Sequence, residues 1–393
     1  PIKLACEQSN VEAKILALDC LSKIFTFNLF TKPIYWDYKG KKNLPIQTDV
    51  DLDGSLGSPV QEGKILLIEA AINVVTSCFE GEGTDERVEL QIIRVLTGAV
   101  VNESMPVHGK VLLQAIRQIH NIFLLSLSPI NQGIAQATII QIVDSVYEKV
   151  LKLTSKKKYH SSLQPESDLP DQIENNQQMT LQQLQDTSND NIQLTSDEII
   201  GNDDELYIKD AFLVFRSMSN LASKTIETES LDMRSHKIRV KLLSLHIIHS
   251  ILRNYMDVFV NKECLIFNKN SDESTFLVDG IRKYLCLAIS RNATSQLSPV
   301  YEITLEIYWL MLKNLRSEFK YEIPVFLDEI YFPVSEMKTS ASYQKRYILE
   351  IIRRICCDPK ILVEFYLNYD CDTVLPNLCE AIVDYLARYA LLR

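Results

Sequence analysis

Apolar residues return every three or four positions along most of this chain, the spacing that lines one face of an α-helix. In "GKVLLQAIRQIHNIFLL" that face is Leu112, Ala115, Ile116, Ile119, Ile122 and Phe123. "EAKILALDCLSKIF" carries another at Ile15, Leu18, Leu21, Ile24 and Phe25. "GKILLIEAAINVVTSCF", which follows a polar Gly-bearing loop, "DERVELQIIRVLTGAVV" and "NQGIAQATIIQIVDSVYEKV" complete the predicted helices of the first part. The pattern resumes with "YIKDAFLVFRSMSNLAS", "SHKIRVKLLSLHIIHSILRNYM", "STFLVDGIRKYLCLAIS" and "SPVYEITLEIYWLMLKNLRSEF". "EIPVFLDEIYF", "YQKRYILEIIRRICC", "PKILVEFYL" and "LCEAIVDYLARYA" come after them. Ser128-Pro129, Ser298-Pro299 and Asp358-Pro359 read as helix starts, where a side chain caps and proline's missing N–H costs nothing. No run alternates strictly, so no sheet is expected. Several helices are apolar on more than one face, as helices stacked between neighbours are. The expected fold is all-α, an elongated armadillo- or HEAT-like α-solenoid, without a visible repeat consensus.

One stretch breaks the pattern. Between Ser161 and Glu205 there are eleven carboxylates and no Lys or Arg, within Gln/Asn-rich sequence such as "QIENNQQMTLQQLQ". The net charge of −10 resides here, and the rest of the chain is close to neutral. Such a segment buries too little apolar surface to offset the entropy of ordering it. The expected organisation is a domain over 1–154, a disordered acidic linker over 155–205 with "LQQLQ" as a transient helix, and a C-terminally incomplete domain over 206–393. The chain begins with Pro1 and its last helical pattern runs into Arg393, so it reads as a piece of a longer protein. The nine cysteines are odd in number and form no CxxC. That usage suits a reducing compartment, with Cys serving as a small hydrophobe. No apolar run approaches the ~20 residues that span a bilayer, and a soluble protein is expected.

Candidate chemistry is sparse. His246 and His249 lie one helical turn apart, but no carboxylate or Cys of matching spacing joins them, so a core or partner-facing pair is preferred to a metal site. Cys356 and Cys357 are vicinal on a helix and read as packing residues. Cys371 has no nominated His base. "GEGTD" precedes no phosphate-loop Lys. No cofactor and no metal are expected. "DMRSHKIRVK" places Arg234, Lys237 and Lys241 on one face, away from Leu242, Leu245 and Ile248, either as a solvated face or as a docking site for an acidic partner. "SKKKYH" is a second basic run. Near-neutral charge outside the linker argues against nucleic acid.

The most informative stretch is "NYDCD", Asn368 to Asp372, in the break between two helical patterns. Asn368 tolerates left-handed geometry and can stop the helix ending at Leu367. Asp370 or Asp372 can accept N–H bonds from the first turn of the next helix. Tyr369 and Cys371 can plug the gap between layers. One Asp-x-Asp supplies too few ligands for a divalent cation. The expected role is architectural.

"LNYDCD" resembles the box that names the HUS domain of the large Arf guanine-nucleotide exchange factors of the Sec-seven and BIG type. The stretch from "ELQIIRVLTGAVV" to "ATIIQIV" resembles their dimerisation and cyclophilin-binding (DCB) domain. "KDAFLVFRSMSNLA", "RSHKIRVKLLSLHIIHSIL", "IRKYLCLAISRNA" and "EIYWLMLKNLRSEFKYEIPVFLDEIYFPV" resemble the HUS half, in order. The linker composition suggests a fungal member. In that family a later domain uses a Glu finger, in a stretch like FRLPGEAQ, to expel GDP from Arf. No such stretch occurs here, so the resemblance implies a non-catalytic regulatory region. It implies self-association as a dimer and binding of Arf, Arf-like and Rab small GTPases. It also implies contact with the exchange domain downstream and with peripheral trans-Golgi membrane from the cytoplasm, with cyclophilin as a further candidate partner. Asn368, Tyr369, Asp370, Cys371 and Asp372 match the family's box and inherit its structural and coupling role. A Mon-two-type Golgi scaffold without exchange activity, or another cargo-adaptor solenoid, is the alternative.

Overall fold

The computed structural model describes residues 1–29, 35–37, 64–102, 104–161, 203–225, 235–268 and 273–391. They divide into two compact units. The first holds the described residues of Pro1–Lys149, those from Asp203 through Leu213, and Asn268; the second holds the end of the long helix from Val150 and the described residues of Val214–Phe267 and from Glu273 on. Both are built from helices, and the fold is all-α.

The first unit holds α1 (Ile2–Cys6), α2 (Val11–Thr26), α3 (Leu67–Ser77), α4 (Glu86–Val101), α5 (Gly109–Leu125) and most of α6 (Pro129–Ser161). Their starts are chemically marked. The Asn10 side chain accepts from Glu12 N at 3.0 Å to cap α2, and Asp85 accepts from Arg87 N at 2.9 Å to cap α4. All six positions of the α5 stripe are buried, as are Leu18, Leu21 and Phe25 of α2. Buried Glu89 ties the α5–α6 turn to the start of α4. It accepts from Ser126 Oγ at 2.6 Å and Asn131 Nδ2 at 2.8 Å, and the same amide donates to Glu86 O at 2.8 Å.

The next helix, α7 (Asp203–Ser223), contributes its residues through Leu213 to the first unit and the remainder to the second. The second unit continues with α8 (His236–Asn254), α9 (Met256–Val260), α10 (Leu277–Asn292), α11 (Ser298–Asn314), α12 (Glu322–Pro324) and α13 (Phe332–Glu336). It ends with α14 (Ser342–Cys357), α15 (Pro359–Phe365) and α16 (Leu378–Leu391). Aromatic side chains fill its interior: Tyr308 meets Phe326 edge-on at 5.8 Å, and Phe332 stacks on Tyr385 at 4.6 Å.

Several expectations need correction. Strands do occur: β1 (Tyr35–Asp37) pairs antiparallel with β2 (Lys64–Leu66), and β3 (Leu265–Asn268) pairs with β4 (Glu273–Phe276). Each second strand runs without a break into a helix, α3 and α10, so its apolar residues fall in phase with the helical stripe and read as part of it. Helices α3 and α10 begin after Leu66 and Phe276 with no side-chain cap. Ser298 is not a cap either; it lies inside α11, whose N-cap is Leu297. Asp358 does cap α15, accepting from Lys360 N at 3.1 Å and Ile361 N at 3.3 Å. The pattern across Tyr255 is broken into α8 and α9. Both ends of the expected linker are helical, since α6 runs to Ser161 and α7 begins at Asp203; residues 162–202, including "LQQLQ", lie outside the described residues. Among the described residues no helix is long and apolar enough to cross a membrane.

Candidate functional site

Helix α15 does not end at Leu367. It widens into a π turn, Tyr366–Asp370, closed by Cys371 N donating to Tyr366 O at 3.0 Å. Asn368 is therefore helical rather than left-handed, and the one non-glycine residue with positive φ among the described residues is Asn28. The extra residue of a π turn shifts the facing of the residues after it, and such turns are frequent at functional sites. Here Tyr369 points inward, 2% exposed, its ring edge-on to Phe365 at 5.4 Å. Burial raises the Tyr369 phenol above its ordinary range, with the Glu322 charge acting in the same sense. Glu322 is itself buried, and burial raises its carboxyl against the opposing pull of Arg282.

Asp370 comes next and faces α16. Its Oδ2 accepts from Cys379 N at 2.9 Å and its Oδ1 from Glu380 N at 3.1 Å, so it caps a helix that begins eight residues later. Asp372 holds the intervening turn, with Oδ1 accepting from Val374 N at 2.9 Å and Oδ2 paired with Lys320 Nζ at 3.2 Å. The Val374 amide, then Lys320, keep its carboxyl below the usual range. Cys371 is exposed and plugs no gap. The thiol that shares this site is Cys379, pushed up to about 11 by burial and by the Asp370 charge, which suits a hydrogen-bond donor and not a nucleophile. Replacing Asp370 by Ala is expected to cost about 1–2 kcal/mol. In a calorimetric melt that lowers the midpoint of the second unit by about 3–6 °C, with a smaller loss for Asp370→Asn. An unchanged midpoint would make the box a contact surface instead of a brace.

The proposed basic face does not exist as drawn. Lys241 is 4% exposed and donates to Ala222 O at 2.9 Å and Asn292 Oδ1 at 2.7 Å. It sits three residues after Ile238 and four before Leu245, on the buried face of α8. Its ammonium meets the carbonyl end of α7, where a cation is favoured. Lys237 is exposed, and Arg234 lies outside the described residues. Burial pulls Lys241 down to about 8, with Arg291 acting in the same direction. Unfolded, the group titrates near the ordinary lysine value, about 10.4. Below about pH 8 both states hold the proton; between there and about pH 10 the unfolded chain holds more, so this group makes stability rise with pH. Urea titrations near pH 7.5 and near pH 9.5 are expected to show that gain as a difference between the unmodified chain and Lys241→Met, because thiols held up by burial, such as Cys379, act in the opposite sense over the same range in both chains.

The other candidates separate. His246 is exposed and His249 half-buried, and desolvation lowers both imidazoles. Among the described residues no group of three His, Cys, Asp or Glu side chains could hold a metal ion. Cys356 and Cys357 are exposed on α14 and are not packing residues.

Sequence reasoning missed a second site, inside the first unit. Asp210 of α7 is 3% exposed and accepts from Gly109 N at 2.7 Å and from His108 Nδ1 at 2.6 Å. Gly109 opens α5 with φ +57°, a conformation that favours glycine. The His108 side chain makes no cap bond of its own, so a carboxylate from 101 residues away caps α5. The surrounding contacts are aromatic and cationic. Tyr207 meets the His108 ring edge-on at 5.1 Å and receives Lys149 Nζ at 5.9 Å from its centroid, and Tyr147 donates to Ala211 O at 2.9 Å. The available signals were two separate ones, an Asp amid apolar residues in "YIKDAFLVF" and, far earlier in the chain, a "VHGK" helix start without its own capping residue.

Comparison with known proteins places both sites in a family context. Residues 1–153 match the model described as Mon2/Sec7/BIG1-like, dimerisation and cyclophilin-binding domain, and residues 207–378 match the Mon2/Sec7/BIG1-like HUS domain. The chain is 45% identical to the ADP-ribosylation factor guanine nucleotide-exchange factor SEC7 of Saccharomyces cerevisiae, over all of this chain and 20% of that protein. It is 33% identical to sec71 of Schizosaccharomyces pombe, over 99% of this chain and 21% of the relative. For the brefeldin A-inhibited guanine nucleotide-exchange protein 1 of Rattus norvegicus the identity is 26%, over 99% and 27%. The chain thus spans about a fifth of the length of the yeast relatives. With both regions matched in order, the chain belongs to the Mon2/Sec7/BIG1-like family and carries its DCB and HUS regions.

Proposed function

We propose that this chain is the regulatory region of a Golgi Arf guanine-nucleotide exchange factor, acting by protein–protein contact and not by catalysis. The observation that carries this reading is the match of the whole of this chain, through DCB and HUS regions, to about a fifth of the length of exchange factors. The local chemistry agrees. Asp370 and Asp372 are engaged in helix capping and an ion pair, and Asp210 is spent on a helix start. In this reading the chain self-associates through its DCB region and binds Arf-family, Arf-like or Rab GTPases on helix faces. It helps hold the enzyme on trans-Golgi membrane from the cytoplasmic side. The HUS box, from Asn368 to Asp372, keeps the end of the second unit in the shape that neighbouring domains dock against. The match to exchange factors favours this over a Mon-two-type scaffold.

The test is a pull-down of the chain against Arf, Arf-like and Rab GTPases loaded with GTP or GDP, with nucleotide release measured in parallel. Binding to at least one loaded GTPase without accelerated release is expected. Accelerated release, or stoichiometric nucleotide binding by the chain itself, would overturn the non-catalytic reading. Failure to bind any member of the panel would overturn the GTPase-binding reading.

A further inference from the structure

Two cysteines of the second unit take no part in its interior. Cys356 and Cys357 close α14, and both are exposed. The opposite face of α14 is packed, with Ile348, Ile351, Ile352 and Ile355 all buried. The thiol pair therefore sits on the outer side of an amphipathic helix. Arg353, also exposed, lies one turn before Cys357. Glu350 fixes its guanidinium at 2.7 and 2.8 Å, and its Nη1 lies 4.0 Å from Cys357 Sγ.

An apolar strip begins just past the thiols. Asp358 caps α15 and so fixes the turn between the two helices. Exposed Lys360 follows it, and then Leu362, Val363, Tyr366 and Leu367, which are 39–58% exposed. These four stand in two pairs one turn apart along α15 and its π turn. Single exposed apolar side chains are ordinary, whereas a contiguous strip marks a surface that takes an apolar ligand or partner. Helix α15 has seven residues and the π turn five. Together they rise about 18 Å, against ~15 Å for the hydrocarbon depth of one membrane leaflet. The strip has the length of a long acyl chain, and two thiols stand at one end of it.

We propose that Cys356 and Cys357 are an S-acylation site, with the strip on α15 as the seat of the acyl chain and a long-chain acyl-coenzyme A as the donor. The Cys357 thiolate attacks the carbonyl carbon of the donor thioester. The C–S bond to coenzyme A breaks as the C–S bond to Cys357 forms. Coenzyme A leaves as a thiolate and takes up a proton, in place of the one Cys357 gave to solvent. A second donor acylates Cys356 in the same way, and nothing is oxidised or reduced. Arg353 places a positive charge beside the attacking sulfur, and the strip holds the incoming chain with its thioester over the pair. Amphipathic-helix cysteines are acceptors of this kind, and two chains anchor a protein stably where one gives only reversible binding. The role of the site rests on the membrane-holding reading above; the acylation itself does not.

The whole chain is incubated with palmitoyl-coenzyme A without membranes, and the acylated residues are mapped by mass spectrometry before and after hydroxylamine. Hydroxylamine-labile acylation is expected at Cys357 and Cys356, about tenfold faster than at Cys20 or Cys371, which are exposed as well. The double substitution Val363→Ser with Leu367→Ser is expected to bring the pair down to the rate of Cys20 while leaving the melting midpoint unchanged. Equal rates at all four exposed thiols would overturn the proposal, and so would a pair that reacts as fast without the strip. Flotation with phosphatidylcholine vesicles then tests the role. The doubly acylated chain is expected to float, and acylated Cys356→Ser to come off on dilution. Selective acylation without flotation would overturn the membrane-holding role and not the site.

Discussion

Replacing Asp210 by Ala is expected to weaken the association of residues 1–161 with residues 203–393 about a hundredfold. These pieces correspond to a cut within 162–202, and each keeps its helices whole. The carboxylate joins them at the point where α7 enters the first unit, taking the Gly109 N–H at 2.7 Å and His108 Nδ1 at 2.6 Å. Hydrogen bonds to a charged group contribute about 1.5–3 kcal/mol each, and a buried donor left without its acceptor costs a further desolvation penalty. About 3 kcal/mol survives as net loss once solvent reaches part of the cut surface, and each 1.4 kcal/mol is a factor of ten in affinity. Calorimetric titration of one piece into the other measures it directly. Asp210→Asn keeps the shape and one acceptor oxygen and is expected to lose less. An unchanged affinity in Asp210→Ala would place the junction elsewhere. Absence of association between the unmodified pieces at micromolar concentration would remove the junction altogether.

The sequence made the helices legible because their signal is local. A stripe at three- and four-residue spacing depends on neighbours within one turn, and the α5 stripe is buried at every position named. A capping Asp before the last helix was legible from the break in the pattern, as Asp370 or Asp372; that Asp370 takes the amides nine and ten residues on, while Asp372 holds the turn between, was not. The features that stayed hidden depend on information outside the window. Lys241 lies in phase with Ile238 and Leu245, but its charge suggested solvent; only the carbonyl end of α7 and Asn292 make its burial tolerable. The capping of α5 by Asp210 joins positions 101 apart, which no periodicity encodes. The π turns at Val325–Tyr331 and Tyr366–Asp370 share the apolar spacing of an α-helix and differ in one inserted residue. The strands that feed α3 and α10 are three and four residues long, too short for alternation to stand out from a helical stripe.

Replacing Tyr369 by Ala is expected to destabilise the second unit more than any other change within the HUS box. The ring is 2% exposed and packs edge-on against Phe365, which is itself buried, where α15 meets the rest of the unit. Truncating a buried aromatic residue to Ala removes about 3–5 kcal/mol through lost transfer energy and the cavity left behind. For a unit of this size that lowers the melting midpoint by about 10 °C. Tyr369→Phe keeps the ring and its contact and is expected to melt close to the unmodified chain. The pair of substitutions separates two roles that the box could have. If the box is a brace, stability tracks the ring: Ala fails, Phe does not, and Asp370→Ala falls between them. If the box is a contact surface, exposed Asn368 and Cys371 would carry its effect, and substituting them would impair binding to a neighbouring domain while leaving the midpoint unchanged. A Tyr369→Ala chain that melts with the unmodified protein would exclude the brace, because no exposed-surface role accounts for an aromatic ring so completely withdrawn from solvent.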